Sequence, residues 1–131
     1  MGPSDRTRVI QQECEKHGII WHHLPLIGAF LERLFDQYKD IVRSVNWLHR
    51  TMAKSRQRVL IHCAAGIHRT GVVAYSLLRA TGLCKEEAMG KIKAMREATF
   101  NGVGKARILG SEKHVIPLLN KKIQVSARPI E

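Results

Sequence analysis

Residues 59–82, VLIHCAAGIHRTGVVAYSLLRATG, constrain this chain more than any other stretch. Val59, Leu60 and Ile61 form a short apolar run of β-branched type, suited to a strand buried on both faces. HCAAGIHRTG follows, and the spacing then predicts a helix over roughly residues 70–80, stopped by Gly82. A chain that passes from strand to helix so quickly must place the intervening loop at the junction of two elements. Unpaired backbone N–H groups gather at such a point.

The rest of the chain supplies elements to pack around that unit. Residues 7–16 fit a helix closed by the His17-Gly18 stop, and IIWHHLPL, residues 19–26, reads as a buried strand ended by Pro25 and Gly28. Phe30, Leu34, Tyr38, Ile41, Val45 and Leu48 step by three and four, marking one face of a long amphipathic helix. A further helix is predicted over 85–97 with Ala88, Ile92 and Met95 inward, and another begins near Val103, ended or kinked by Pro117. Strand, helix, strand, helix in alternation predicts an α/β fold: a mainly parallel central sheet flanked by helices, with a short or trimmed N-terminal part. Such sheets carry their sites beyond the carboxyl ends of the strands, which directs attention to residues 62–71.

At 131 residues, without repeats, low-complexity tracts or linkers, residues 1–131 are expected to form a single domain. No apolar run approaches the roughly 18 residues of a membrane span, and nothing at the start resembles a secretory signal. Three cysteines, Cys14, Cys63 and Cys84, are an odd number without paired spacing, so the expectation is a reducing, cytoplasmic setting. The formal net charge of +11 has two readings, a solvated basic surface or an anionic partner. Such partners include phosphorylated substrate, acidic lipid and nucleic acid.

The loop itself carries chemistry. N–H groups at a helix N-terminus converge on a point and favour an anion there, and a tight loop adds more of them. Gly66 allows a bend that a side chain would hinder. Arg69 presents a planar fork matched to two phosphate oxygens. The same field should ionise Cys63, since thiols in such surroundings reach pKa values of ~3.5–7.5 against an ordinary value of ~8.5. Nucleophile and phosphate cradle would then be made from the same atoms.

His62-Cys63, five residues, then Arg69-Thr70-Gly71 resembles the signature loop of the protein tyrosine phosphatase superfamily. The likeness extends from about residue 18 to 108: GIIWHHLPL is similar to the strand before the acid loop of small dual-specificity members, and LLRATGLCKEEAMGKIKAMR to their later helical hairpin. This resemblance implies a phosphatase acting on phosphotyrosine, with phosphoserine or phosphothreonine also in range, through a phosphocysteine intermediate and without metal or cofactor. By position it implies Cys63 as nucleophile, Arg69 as phosphate and transition-state binder, and Thr70 as the hydroxyl bonded to the thiolate. The backbone of Ala64, Ala65, Gly66, Ile67, His68 and Arg69 forms the cradle, and His62 helps to hold the loop.

Two departures stand out. Small members begin with additional strands, for which the leading residues leave no room. The family also places an Asp just after the strand-ending proline, where it protonates the leaving oxygen. Here Pro25 is followed by Leu26-Ile27-Gly28-Ala29. Glu32, Asp36 and His68 are the candidate acids, with solvated surface positions the competing reading for each. The neutral loop residues Ala64, Ala65 and Ile67 favour phosphoprotein. The charge favours phosphoinositides, inositol phosphates or RNA 5′-phosphates, and the missing Asp raises a catalytically impaired phosphate-binding module.

Other motifs are weaker. NGVGKA, residues 101–106, echoes a nucleotide loop, but Thr99 stands where a first Gly is needed and Ala106 where a magnesium-binding hydroxyl belongs. Lys105 or Arg107 could still reach a phosphate. Cys14, His17, His22 and His23 are zinc-type ligands at spacing that matches no common site. Cys14 and Cys84 read as packing residues or as traps for an oxidised Cys63.

Overall fold

The computed structural model describes residues 5–26, 37–54, 57–64 and 66–119. Six α-helices are defined among them: α1 (Asp5–Lys16), α2 (Tyr38–Lys54), α3 (His68–Ala80), α4 (Lys85–Met95), α5 (Glu97–Gly102) and α6 (Lys105–His114). A 3₁₀ turn, Ile116–Leu118, carries Pro117 just past the last helix.

The described residues do not form the expected parallel sheet. No strand occurs among them, so the α/β assignment is corrected to a mainly helical arrangement. The two segments with strand-type sequence, 19–26 and 59–61, run as irregular chain. Ile19, Ile20 and Val59 are exposed, and Leu60 is 87% exposed, although their sequence type predicts burial. A strand is stable only when its N–H and C=O groups pair with a neighbour and its side chains meet a layer on each face. Neither run finds that neighbour here.

The helices follow their apolar periodicity more closely. On α2 the predicted stripe is inward, with Tyr38, Ile41 and Val45 buried and Leu48 partly so. The first part of that predicted helix, including Phe30 and Leu34, lies outside the described residues. Helix α4 buries Ala88 and Ile92 as expected, but Met95 is 65% exposed. The helix ends at Met95, because Arg96 takes an extended conformation (φ −161°), and the chain turns into the short α5 before the α6 that sequence placed near Val103.

Helix α3 is the axis of the molecule: α2, α4, α5, α6 and the 3₁₀ turn all pack on it. Residues 71–77 are buried without interruption, so every face of the helix is covered. Its far end is locked by polar contacts. Ser76 Oγ lies 2.7 Å from Ser111 Oγ, and Arg79 grips Glu112 through Nε (2.8 Å) and Nη2 (3.3 Å), with Tyr75 O–H donating to the same carboxylate. The segment before Pro25 is tied to α2, where His22 Nε2 lies 2.9 Å from Ser44 Oγ and its ring stacks on Trp47 at 4.5 Å. The first set of contacts fixes the far end of α3, and the second fixes the segment that leads to Pro25.

Candidate active site

The chain passes from the irregular segment into the first turn of α3 through a loop whose described residues, 62–64, 66 and 67, are organised around one sulfur. Thr70 Oγ1 donates to Cys63 Sγ at 3.1 Å, and the Gly66 N–H donates to it at 3.3 Å. Burial alone would push the thiol up. The Thr70 hydroxyl and the N–H groups of Thr70, Gly66 and Ile67 outweigh it and bring the pKa down to about 7. Each donor stabilises the anion more than the neutral thiol. Cys63 is half-buried, so the sulfur is held yet reachable.

Gly66 makes the turn possible. Its φ of +69° lies in the left-handed region that side chains disfavour, and a Cβ there would fall onto the Arg96 guanidinium. The remaining residues expected at the site are placed as follows. Ala64 is exposed and Ala65 lies outside the described residues. Ile67 caps α3, its carbonyl accepting the Gly71 N–H at 2.8 Å, and His68 opens the helix, half-buried. Arg69, on the first turn, donates through Nη1 to the Leu26 carbonyl at 3.3 Å, linking the loop to the segment just past Pro25. His62 is exposed. Glu32 and Asp36, two of the three candidate acids, lie outside the described residues.

Two residues that sequence reasoning passes over grip the loop from behind. Arg96 Nη1 (2.9 Å) and Thr99 Oγ1 (2.5 Å) both donate to the Gly66 carbonyl. In sequence, Arg96 is only the tail of a helical hairpin, and Thr99 only a failed position in a nucleotide motif. The one available signal is Gly66 itself, since a left-handed turn needs something to fix it. Lys105 and Arg107 sit at the start of α6, where Arg107 Nη1 donates to the Val103 carbonyl at 3.2 Å. No group of three His, Cys, Asp or Glu among the described residues could hold a metal.

Taken as chemistry, the site is a half-buried thiol near neutral pKa, ringed by N–H and O–H donors at the mouth of a buried helix. A ring of that kind suits a nucleophile that must remain an anion, and it suits an oxyanion equally well. A family model described as the tyrosine phosphatase family matches residues 21–91, more than half of the chain, and the chain belongs to that family. No curated protein and no solved structure matches it. Membership supports a phosphatase that takes phosphorylated substrates. No helix among the described residues is long and apolar enough to cross a membrane.

The hydroxyl of Thr70 can be tested by itself. Thr70→Val keeps the shape and removes the nearest donor, so the Cys63 pKa should rise from about 7 toward the ordinary thiol value. Alkylation of Cys63 by iodoacetamide, followed against pH, should show the inflection move up. At a pH well below the inflection, the rate should drop about tenfold for each pKa unit by which the thiol rises. An unmoved inflection would mean that the hydroxyl does not hold the thiolate.

Proposed function

We propose that this chain is a cysteine-dependent phosphomonoesterase acting on phosphotyrosine, with phosphoserine and phosphothreonine as further substrates, and that it works as one catalytic domain. The observation that carries the reading is the Cys63 sulfur held by Thr70 and Gly66 at a pKa of about 7. In the first step the thiolate attacks phosphorus, an S–P bond forms, the P–O bond to the substrate breaks, and the departing oxygen takes a proton. In the second, water adds to phosphorus, the S–P bond breaks, and phosphate and thiolate are released.

Each residue then has a task. N–H groups of the loop and the Arg69 fork hold the three non-bridging oxygens, whose charge must be met as the phosphoryl group transfers. To do so, Arg69 gives up or shares its 3.3 Å bond to the Leu26 carbonyl. Thr70 stabilises Cys63 both before attack and as it leaves. His68, at the first position of α3, is the described candidate for proton donor. A second reading, in which phosphoinositides, inositol phosphates or RNA 5′-phosphates are the substrates, is favoured by the net charge of +11.

The test is capture of the intermediate. Mixing with a small aryl phosphate and quenching in acid should leave Cys63, and neither Cys14 nor Cys84, heavier by one phosphoryl group in peptide mass spectra. An aryl leaving group departs with little help from an acid, so the experiment does not depend on which group donates the proton. Turnover should rise as pH passes upward through about 7, because attack needs the deprotonated sulfur. Turnover without any phosphorylated cysteine would overturn the mechanism.

A further inference from the structure

Gly66 stands between two sets of contacts. Its N–H reaches Cys63 Sγ at 3.3 Å, while its C=O accepts from Arg96 Nη1 at 2.9 Å and Thr99 Oγ1 at 2.5 Å. The left-handed φ of +69° lets one residue face both ways. The same segment presses on the loop at two further points. A Cβ on Gly102 would collide with the Ile67 side chain, and one on Gly71 with Val103. Thr99 is only 4% exposed, so its hydroxyl and the Gly66 carbonyl face each other away from bulk water. Arg96, Thr99, Gly102 and Val103 thus close on residues 66–71, and all four lie beyond residues 21–91 that match the family.

We propose that Arg96 and Thr99 are positioning residues for the Cys63 thiolate: by holding the Gly66 carbonyl they keep the Gly66 N–H aimed at the sulfur. The inference rests on the reading of this loop as the phosphatase centre. The physical argument is one of torsional freedom. A glycine in a loop loses more conformational freedom on ordering than any other residue, so something must hold it in a single φ/ψ well. Two hydrogen bonds to its carbonyl, one from a cation, are strong enough to do so, and a buried carbonyl deprived of them is costly. Released, Gly66 would sample other conformations and its N–H would leave the sulfur for part of the time. The thiolate would then lose a donor although nothing touching it had been changed.

The experiment reads Cys63 directly. Thr99→Val removes the hydroxyl at nearly constant shape, Thr99→Ser keeps it, and Arg96→Met removes the cation from a residue whose side chain is exposed. Alkylation of Cys63 by iodoacetamide is followed against pH with peptide-resolved mass spectrometry, alongside the thermal midpoint. Thr99→Val and Arg96→Met should each raise the inflection. The rate at about pH 6 should fall some ~3- to 10-fold, which corresponds to a thiol pKa higher by roughly half to one. Thr99→Ser should restore the wild-type profile. Folded variants with unchanged alkylation profiles, whatever their thermal midpoints, would show that the contacts only pack the loop, and would overturn the proposal. Should Thr99→Val fail to fold, Arg96→Met decides alone, since an exposed side chain is not needed for the core. Alkylation requires no turnover, so an unchanged profile sinks this inference and leaves the phosphatase reading standing. Absence of a phosphocysteine would instead sink the phosphatase reading on which this inference rests.

Discussion

Cys63→Ser is expected to abolish turnover of an aryl phosphate while leaving inorganic phosphate or vanadate binding measurable. The donors around Cys63 bring its thiol down from the ordinary value to about 7, so a large share of it is thiolate at neutral pH. The same donors around an alcohol, which ionises far above any thiol, would leave it un-ionised. Loss of a nucleophile that acts as part of a unit costs about 10,000-fold or more. Binding should survive, because the N–H groups of residues 66, 67 and 70 belong to the backbone and are untouched by the change. A serine variant within tenfold of wild type would exclude covalent catalysis by Cys63. Loss of both turnover and anion binding would show that the sulfur itself shapes the loop.

Arg69→Lys should be nearly as damaging, by about 100- to 1000-fold in kcat/KM, the range seen when a transition-state donor is lost. Lysine keeps the charge but not the fork. An ammonium cannot meet two oxygens in one plane, and it is more strongly hydrated. The contact to the Leu26 carbonyl at 3.3 Å adds a second effect, since that bond ties the first turn of α3 to the chain past Pro25. Kinetics with an aryl phosphate, together with product inhibition by phosphate, would separate the two. A large drop in kcat with weakened phosphate inhibition supports the assigned role. Near-normal values of both would remove Arg69 from the cradle.

How much of this could be read from the chain depended on how local the cause was. The helical stripe at Tyr38, Ile41 and Val45 was legible because its period of three and four is set by the helix itself. The loop was legible for a similar reason: thiol, glycine, arginine and hydroxyl lie within eight residues, and together they suit thiolate and anion chemistry far better than packing. The sheet was misread because strand-type sequence describes a preference that only a partner can satisfy. Val59 and Ile20 have that preference, yet both are exposed. Met95 shows a smaller version of the same effect, its periodic position cancelled where Arg96 turns the chain out of the helix. The grip on Gly66 could not be assigned from sequence: the glycine hints that something must fix it, but Arg96 and Thr99 stand 30 and 33 residues away with no local mark to join them to it.

Ile19, Ile20, Val59 and Leu60, apolar side chains on irregular chain in contact with solvent, bear on how the protein behaves in quantity. Unpaired chain carrying such residues is a template for association between copies. The net charge of +11 works against this, because each molecule repels the next. That repulsion reaches about 30 Å at 0.01 M salt but only about 8 Å at physiological ionic strength. Colloidal stability is therefore a balance between a short-range attraction and a screened repulsion. Multivalent anions act on the repulsive side twice, once by screening and once by neutralising the lysines and arginines that supply it.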